Sequence, residues 1–328
     1  MADVTSIVTH DDFDGLGSAA ILSWAFDIDE IRFAGPITIA KAEIPITMQD
    51  VVSDLPYPVE CGMWFDHHEG NLNELRYRGI EPASIPGRFD VQPSCVRVVY
   101  DYFLKQGDEP PEDYAELADV ADIIDSFAYP DLAAWRADTP GNLIDRAIKA
   151  SSEDRRAHHA FLRQLVYDLR DLPLAEVADS DLIRARASFY SNEEDVMLDQ
   201  IGKYGLYLGT DTHHELFFVD RTSFSNPARI DKKLIGLVEP QAQGYVELKP
   251  VFTSGRKSLK IAVSVSLALS MQQQEHKKDM GEIMRLLNIG DGHAGAAAGV
   301  WECNSAHEFQ QMRDELPQKI LELWLKQV

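Results

Sequence analysis

The stretch THDDFDGLGSAA, residues 9–20, sets the fold class because it joins a buried strand to a helix across a short acidic turn. The preceding run, VTSIVT over 4–9, is apolar enough for a buried strand. The following run, LGSAAILSWAF over 16–26, is typical of a helix. A strand, a tight turn and a helix in this order predict the beginning of an α/β domain with a mostly parallel sheet.

Three potential metal ligands, His10, Asp12 and Asp14, occupy alternate positions in this turn. In an extended backbone they point to the same side, so they converge at the carboxyl edge of the sheet, where open α/β sheets bind ligands. A divalent cation would compensate the repulsion between the two carboxylates. Gly15 and Gly17 allow the chain to turn tightly. On this segment alone, a solvated acidic turn that caps the helix is an equal alternative.

A second cluster, Asp66, His67 and His68, follows the apolar run VECGMWF over 59–65. Neighbouring side chains on a strand face opposite ways, so one can bind a metal while the next faces a substrate if the chain turns there. Gly70 supplies such a turn. The alternative is a polar loop with two solvated histidines. Two further histidine pairs lack an acidic partner at a strand end and are predicted to lie on the surface: His158–His159 and His213–His214.

The chain divides at a long, polar, helix-favouring stretch over 176–203. The predicted domains are residues 1–185 and 204–328, joined by a helical linker over 186–203. Before the linker, helices are predicted over 94–104, 112–125 and 153–171. After it, the strand-like runs are YGLYLGT, ELFFVD, GYVELKPVF and LKIAVSVSL, and helices are predicted over 226–238, 279–288 and 306–327.

The composition is strongly acidic, since 328 residues include 31 Lys and Arg against 54 Asp and Glu, a net charge of −23. Such a surface repels nucleic-acid phosphates and anionic lipid, which argues against non-specific binding to either. No run reaches the roughly 18–20 apolar residues of a membrane span, and no signal peptide is expected at the N-terminus. The three cysteines show no CxxC pattern, so the cytoplasm is the expected location.

Together, these motifs resemble the DHH phosphoesterase superfamily. Residues 9–20 resemble its HxDxDGxGSA motif, and Asp-His-His at 66–68 is the motif that names it. The family has an aspartate at a strand end between them, which VVSDLPY offers as Asp54. A later aspartate lies on or beside a helix, for which ADVADIIDSFAY offers Asp125 first and Asp122 second. The segments DLPY and GMWFDHH are similar to the exopolyphosphatase-like branch.

The second half resembles the DHH-associated C-terminal domain, whose hallmark is GGGH followed by small residues. Here the stretch reads GDGHAGAAAG, with Asp291 in place of a glycine, and Leu-Ala-Leu at 267–269 stands where many relatives carry Arg or Asn. The alternative for 290–299 is a helix-ending loop followed by close packing of small residues. The resemblance implies substrate contacts from Gly290, Gly292, His293, Gly295, Arg221 and Arg229, while Lys232 and Lys233 are predicted to lie on a solvated helix face.

The resemblance also implies an architecture and a metal centre. The expected fold is α/β: a parallel-sheet domain with helices on both faces, a helical linker, and a smaller α/β domain with a mixed sheet. Two divalent ions are implied, Mn²⁺ foremost, with Mg²⁺ and Co²⁺ as alternatives. His68 would donate to the scissile phosphate or act as general acid, and Asp66 would orient a histidine. The implied ligands are His10, Asp12 and Asp125 for one ion, Asp14 and His67 for the other, and Asp54 as the bridge.

We therefore predict a metal-dependent phosphoester hydrolase that acts on small phosphorylated substrates, foremost short oligonucleotides or linear dinucleotides. Two alternatives stay open: an exopolyphosphatase that releases terminal phosphate, and a non-catalytic nucleotide-binding sensor. Residues 107–125 hold eight acids and no Lys or Arg, whereas 220–260 hold eight Lys and Arg against four acids. This distribution favours a small anionic substrate held between two domains. Long duplex nucleic acid and membranes are excluded as partners, and a homodimer is left open.

Overall fold

Two separate sheets organise the chain. The computed structural model describes residues 4–152, 154–272 and 274–327. The chain divides into two compact units, Met1–Ser191 and Asn192–Val328. Within the described ranges, the first unit contains a five-stranded parallel sheet and the second a six-stranded mixed sheet, which confirms the predicted fold class.

The strands of the first unit are short and end at a common edge. They are β1 (Ser6–Thr9), β2 (Ile31–Phe33), β3 (Asp50–Ser53), β4 (Met63–Asp66) and β5 (Gly87–Phe89). Their order is β2-β1-β3-β4-β5, and all neighbours are parallel. Thr9 lies opposite both Phe33 and Ser53, and Ser53 lies opposite Phe65. The residues that follow β1, β3 and β4 therefore meet at the carboxyl edge of the sheet.

Helices connect and cover these strands. Every residue of β3 and β4 is buried, as expected for parallel strands that are covered on both faces. The helices are α1 (Phe13–Phe26), α2 (Pro36–Ala40), α3 (Glu69–Tyr77), α4 (Cys95–Gln106), α5 (Asp113–Asp125), α6 (Leu132–Arg136), α7 (Pro140–Lys149), α8 (Arg155–Asp171), α9 (Leu174–Asp179) and α10 (Asp181–Tyr204), with a 3₁₀ turn at Pro82–Ser84.

Helix α1 begins three residues before the predicted run because Asp12 caps it. The Asp12 carboxylate accepts a hydrogen bond from the N–H of Gly15 at 3.0 Å. The helix is buried continuously from Phe13 to Ser23, so it carries apolar residues around its whole circumference. It ends at Asp27, which adopts a left-handed conformation and donates its N–H to the carbonyl of Ser23.

The second unit is built on a mixed sheet. Its strands are β6 (Gly205–Leu206), β7 (Leu216–Asp220), β8 (Gly244–Thr253), β9 (Arg256–Leu267), β10 (Gly290–His293) and β11 (Ala296–Glu302), in the order β10-β11-β9-β8-β7-β6. Only the β7–β8 pair is parallel among these described strands. The helices are α11 (Ile235–Val238), α12 (Leu269–Gln272), α13 (Met280–Leu286) and α14 (Ala306–Lys326), with a 3₁₀ turn at Lys232–Leu234. Leu316, Ile320 and Trp324 of α14 pack into the core of this unit.

Two local predictions for this unit are wrong. The helix predicted over 226–238 fails for residues 226–231, which form no helix. The Arg221 guanidinium donates to the carbonyl of Ala228 at 2.7 Å, so a tertiary hydrogen bond holds this segment, and Pro227 has no N–H to donate. The strand predicted over YGLYLGT is reduced to β6 because α10 continues to Tyr204.

None of the helices in the described ranges combines the length and the apolar composition that a membrane crossing needs.

Candidate metal centre

The turn between β1 and α1 fixes the first group of polar side chains. Gly15 is required because a Cβ at this position would lie 2.3 Å from the carbonyl oxygen of His10. The hydroxyl of Thr9 donates to the carbonyl of Gly15 at 2.8 Å, which closes the turn. As a result, Nδ1 of His10 lies 2.7 Å from the Asp12 carboxylate and 3.7 Å from that of Asp54.

Asp54 occupies the centre of the cluster. It follows β3, is only 2% exposed and has a φ of 55°, in the left-handed region that costs a non-glycine residue roughly 1–2 kcal/mol. Its N–H donates to the carbonyl of Phe65 at 3.0 Å, which holds this backbone conformation. Its carboxylate lies 3.6 Å from Nε2 of His67 and 3.8 Å from Nδ1 of His68. One carboxylate from the end of β3 therefore faces two imidazoles that follow β4.

Asp14 is held by the amino end of a helix. Its two carboxylate oxygens accept hydrogen bonds from the N–H groups of Cys95 and Val96, at 2.7 and 2.8 Å. These residues open α4, whose cap is Ser94. The helix amino terminus holds the carboxylate of Asp14 in position. Burial and then the charges of Asp54 and Asp125 nevertheless raise the pKa of Asp14 well above its ordinary value. The remaining lone pairs of Asp14 face Nε2 of His67 at 3.4 Å.

His67 is oriented by a backbone carbonyl. Its Nδ1 lies 2.9 Å from the carbonyl oxygen of Gln92, and because a carbonyl only accepts, Nδ1 carries the proton. Its Nε2 faces Asp14, Asp54 and Asp125, the last at 3.6 Å. This arrangement is typical of a metal-ligating histidine, in which one ring nitrogen donates to an outer partner and the other faces the metal.

His68 differs from His67 in its hydrogen-bond partner and in its exposure to solvent. Its side chain is 51% exposed, and Nδ1 lies 2.9 Å from the fully buried carboxylate of Asp66. The second oxygen of Asp66 accepts from the side-chain amide of Asn71 at 2.6 Å. Both oxygens of Asp66 are thus engaged, and this carboxylate fixes the imidazole of His68, which leaves Nε2 of that histidine on the open side of the cluster.

The structure groups the candidate ligands differently from the sequence-based assignment. Three sets have ligand atoms within 4.8 Å of one another: His10, Asp12 and Asp54; Asp14, His67 and Asp125; and Asp54, His67 and His68. The assignment of Asp125 to the same ion as His10 and Asp12 is therefore corrected, because Asp125 groups with Asp14 and His67. Asp54 belongs to two of the sets, which is the position that the proposed bridge would need. Asp122 lies elsewhere, bonded to Ser94 at 2.6 Å and to Arg97 at 2.9 Å.

The donor atoms fit divalent cations. Within the described residues, both carboxylate oxygens of Asp54 and Nε2 of His67 are buried without a hydrogen-bond partner. Buried polar atoms are nearly always bonded, and such atoms facing each other are the usual sign of a cation site. A set of imidazoles and carboxylates without thiolate suits Mn²⁺, Mg²⁺ or Co²⁺.

Comparison with solved structures identifies the fold. No family model matches the sequence, and no curated protein matches it either. The pGpG-specific phosphodiesterase PggH from Vibrio cholerae superposes with a TM-score of 0.69 at 21% identity, over 97% of this chain and 99% of that chain. The DHH domain of a protein assigned to a family of ribosomal proteins superposes with a TM-score of 0.60 at 12% identity, over 99% of this chain and 87% of that chain. The chain has the DHH fold.

The electrostatic field of the candidate ligand cluster, which comprises His10, Asp12, Asp14, Asp54, His67, His68 and Asp125, favours added positive charge. Burial acts to lower the pKa of His67, but Asp54 and Asp14 outweigh it and raise this pKa to about 10. Neighbouring carboxylates likewise overcome burial at His10 and raise its pKa to about 11. Burial and then the charge of Asp54 raise the pKa of Asp125 to about 6. The carboxylate field that retains protons on these groups would equally favour divalent cations in their place.

The glycine-rich stretch Gly290–His293 forms a hairpin with β11 rather than a helix-ending loop. Its residues make up β10, which pairs with the small residues of β11. The N–H of Gly295 already donates to Nδ1 of His293 at 3.1 Å. Asp291, which replaces a glycine of the family motif, accepts from Arg285 at 2.7 Å, and this bond lowers its pKa. Gly290 and Gly292 are exposed.

The basic residues of the second unit that are candidates for substrate contact differ in how deeply they are buried. Arg221 is 1% exposed and forms an ion pair with the buried Glu247, while Arg229 is exposed. The prediction that Lys232 lies on a solvated face is wrong, because its ammonium donates to Ser264 at 3.2 Å. Burial lowers the pKa of Lys232. Lys233 is partly exposed.

Sequence reasoning missed the groups that orient Asp14, Asp66 and His67. These are the carbonyl of Gln92, the N–H groups of Cys95 and Val96, and the amide of Asn71. The helix start at Pro93 and Ser94 was the one available signal, since it marks free N–H groups. The other partners, apart from the Asn71 amide, are backbone groups, which nearly every residue type offers, so side-chain identity does not indicate them.

Proposed function

We propose that this protein is a metal-dependent phosphoester hydrolase that acts on short, linear phosphorylated substrates, foremost linear dinucleotides or short oligonucleotides. The observation that carries the proposal is the convergence of unpartnered, inward-facing donor atoms of Asp54 and His67 with the carboxylates of Asp12, Asp14 and Asp125. The likeness over nearly the whole chain to PggH, a pGpG-specific phosphodiesterase, supports this substrate class.

Two divalent cations, Mn²⁺ in the first place, would be held by the grouped side chains. His10, Asp12 and Asp54 would hold one, and Asp54, Asp14, His67 and Asp125 the other. Bound there, such ions supply an activated water and neutralise charge that develops on phosphoryl oxygens. The helix amino terminus at Asp14 and the carbonyl at His67 keep these ligands in place when the site is loaded.

His68 would act directly on the substrate. It is the most exposed imidazole of the cluster, and its Nδ1 is fixed by Asp66. Its Nε2 can therefore donate to a phosphate oxygen or protonate the leaving oxygen. Asp66 does not reach the substrate in this assignment and is a positioning residue that sets the tautomer and direction of His68.

The second unit would recognise the rest of the substrate. We assign catalysis to residues 1–185, the linker to 186–203 and substrate binding to 204–328. The exposed backbone of Gly290 and Gly292, with Gly295, His293 and Arg229, remains the candidate contact set. We give Arg221 a supporting role instead, because its buried guanidinium holds the 221–228 loop through Glu247 and Ala228. The cysteines are free thiols, which supports a cytoplasmic location.

The test compares three substrates in the presence of Mn²⁺: a linear dinucleotide, a nucleotide 3′,5′-bisphosphate and long-chain polyphosphate. We expect the linear dinucleotide to be hydrolysed fastest. Faster release of phosphate from polyphosphate would make the protein an exopolyphosphatase. Mn²⁺ binding without hydrolysis of any of the three would make it a nucleotide sensor.

Variants tie the activity to the cluster. Asp54→Ala and His67→Ala should abolish hydrolysis, with a loss of at least about 10³-fold, because each removes a ligand that faces more than one partner. Asp122→Asn, on the same helix as Asp125 but bonded to Ser94 and Arg97, should keep the activity. Hydrolysis that survives both alanine substitutions would disprove the two-metal assignment.

A further inference from the structure

A histidine of the first unit packs against the end of β2 although no motif includes it. The ring of His159, on α8, packs edge-on against the ring of Phe33 with centroids 5.5 Å apart. Phe33 ends β2 and lies opposite Thr9, the residue before His10. The surface-pair prediction therefore holds for neither partner in full: His158 lies 3.3 Å from Arg186, and His159 reaches the carboxyl edge of the sheet.

The direction of α8 carries its first residue past that edge. The Tyr167 hydroxyl donates to the carbonyl of Asp29, and Arg163 Nε to the carbonyl of Ile31. With His159 beside Phe33, these contacts show that α8 runs antiparallel to β2. Each step of four residues along the helix matches two residues along the strand, because both steps are about 6 Å long. The next step places Arg155 level with the residues that follow Phe33 and Thr9, where the turn containing His10 and Asp11 lies.

The amino end of α8 is basic, whereas the chain as a whole is acidic. Arg155 is exposed, and within the described residues no carboxylate forms an ion pair with it. Burial and then the charges of Arg155 and Arg163 lower the pKa of His159, whereas Asp11 acts in the opposite direction. A chain with a net charge of −23 thus presents an exposed guanidinium and a partly exposed imidazole at the carboxyl edge of the sheet, near Asp11.

We propose that Arg155 and His159 form a subsite for a second phosphate group of the substrate, one that lies beyond the scissile phosphate. The inference rests on the proposed function and deepens it. A guanidinium binds a terminal phosphate through paired, charge-assisted hydrogen bonds, and the imidazole supplies one more donor. The subsite selects linear dinucleotides that carry a terminal phosphate over dinucleoside monophosphates that lack one.

The experiment measures kcat and KM for a linear dinucleotide with a 5′-terminal phosphate and for the same dinucleotide without it. Arg155→Ala and His159→Ala should each raise KM for the first substrate about tenfold, the loss of one charge-assisted contact, and leave kcat within about twofold. The parameters for the second substrate should not change. Arg156→Ala is the matched control, since it removes an exposed charge one residue further along the same helix.

A second readout separates this proposal from the function on which it rests. Calorimetric titration with a 5′-phosphorylated dinucleotide that has a non-hydrolysable linkage should show the same tenfold weakening, about 1.4 kcal/mol, in Arg155→Ala and His159→Ala. Equal effects on both substrates, or wild-type affinity in both variants, would overturn the subsite while hydrolysis by the wild type still supports the proposed function. If the wild type hydrolyses neither substrate, the proposed function fails and the titration alone decides the subsite.

Discussion

Asp122 and Asp125 lie about one turn apart on α5, and their surroundings give them opposite roles. Asp122 accepts from Arg97 and Ser94, so its charge is compensated by protein groups. Asp125 shares the imidazole of His67 with Asp14, and burial and then the charges of Asp54 and Asp12 act to raise its pKa. The first carboxylate contributes to stability, whereas the second is repelled by its neighbours until a cation is present.

Substitutions of Asp125 and Asp122 should have opposite effects on the stability of the metal-free protein and on its response to Mn²⁺. Asp125→Asn should leave the free energy of unfolding of the metal-free protein unchanged or higher, because it removes one of several repelling carboxylates, and should strongly reduce the Mn²⁺-induced rise in Tm. Saturating metal at about 100 times its Kd stabilises a protein by about 2.7 kcal/mol, so the rise is measurable by thermal scanning with and without EDTA.

Asp122→Asn should behave in the reverse way. It weakens hydrogen bonds to a charged group and should lower the metal-free stability by about 1–3 kcal/mol, while the Mn²⁺-induced rise persists. A full Mn²⁺ response in Asp125→Asn together with a lost response in Asp122→Asn would contradict the ligand assignment.

Asp50, at the start of β3, predicts how stability depends on pH. Burial acts to raise its pKa, but the hydroxyl of Ser6, the N–H of Thr47 and the guanidinium of Arg32 outweigh it and lower the pKa. Because the pKa is lower in the folded state, this stabilisation is complete above the unfolded value of about 4 and is lost as the pH falls through the folded value.

Asp50→Asn should therefore lower the free energy of unfolding by about 3 kcal/mol at pH 7, since Arg32 loses its buried partner. The difference from the wild type should shrink at pH 3. Urea unfolding followed by circular dichroism at the two pH values measures it, and an equal difference at both would show that the Asp50 charge does not contribute.

At the scale of elements, the β1–α1 turn and the start of α4 build the site together. The turn brings the Gly15 backbone against His10, and α4 presents two N–H groups to Asp14, the second residue of α1. Either element alone would leave a buried carboxylate or free helix N–H groups without partners. The site is therefore a consequence of how one strand end and two helices pack.

Gly15→Ala tests this dependence. A Cβ at Gly15 would lie 2.3 Å from a backbone oxygen that cannot move independently, so the turn must shift and the stability should fall by about 1–3 kcal/mol. The Mn²⁺-induced rise in Tm should fall with it, because His10 is displaced. Gly70→Ala is the matched control.

The control differs in the space around the glycine. A Cβ at Gly70, in the first turn of α3, meets nothing within 4 Å. Alanine there should raise stability by up to about 1 kcal/mol through helix propensity and leave the metal response intact. Equal destabilisation by both substitutions would show that the close approach at Gly15 has no special role.

At the scale of the whole molecule, the net charge of −23 sets which substrates approach. Each added nucleotide brings one more negative charge into the field of the protein, and the repulsion acts over a Debye length of about 30 Å at about 0.01 M salt and about 10 Å at about 0.1 M. The proposed cations, and Arg155 in the subsite proposed for it, would act only at the site. Short substrates should therefore be favoured by the mean field itself.

This predicts a length series. The value of kcat/KM for linear oligonucleotides should fall from two residues to about twenty at low salt, and the difference should narrow at about 0.1 M salt and above because screening weakens the repulsion. Steady-state assays with 5′-phosphorylated chains of increasing length measure this. A preference for longer chains, or a length dependence that does not change with salt, would contradict it.

Local sequence was sufficient for the strand–turn–helix beginning, the α/β fold class and the types of side chain offered as ligands. These depend on local periodicity and on side-chain chemistry, which a short segment contains in full. His67 could be recognised for the same reason, because it follows the apolar run that ends at Phe65. Asp54 was found through the family resemblance and not through local periodicity.

Which distant groups meet was settled by tertiary packing alone. It placed Asp125 rather than Asp122 with His67, turned Arg221 and Lys232 inward, and brought His159 to the sheet edge. These outcomes depend on strand order, on the direction in which α8 crosses β2, and on hydrogen bonds to backbone groups. Such contacts join residues far apart in the chain and do not depend on residue type alone, so no local pattern contains them.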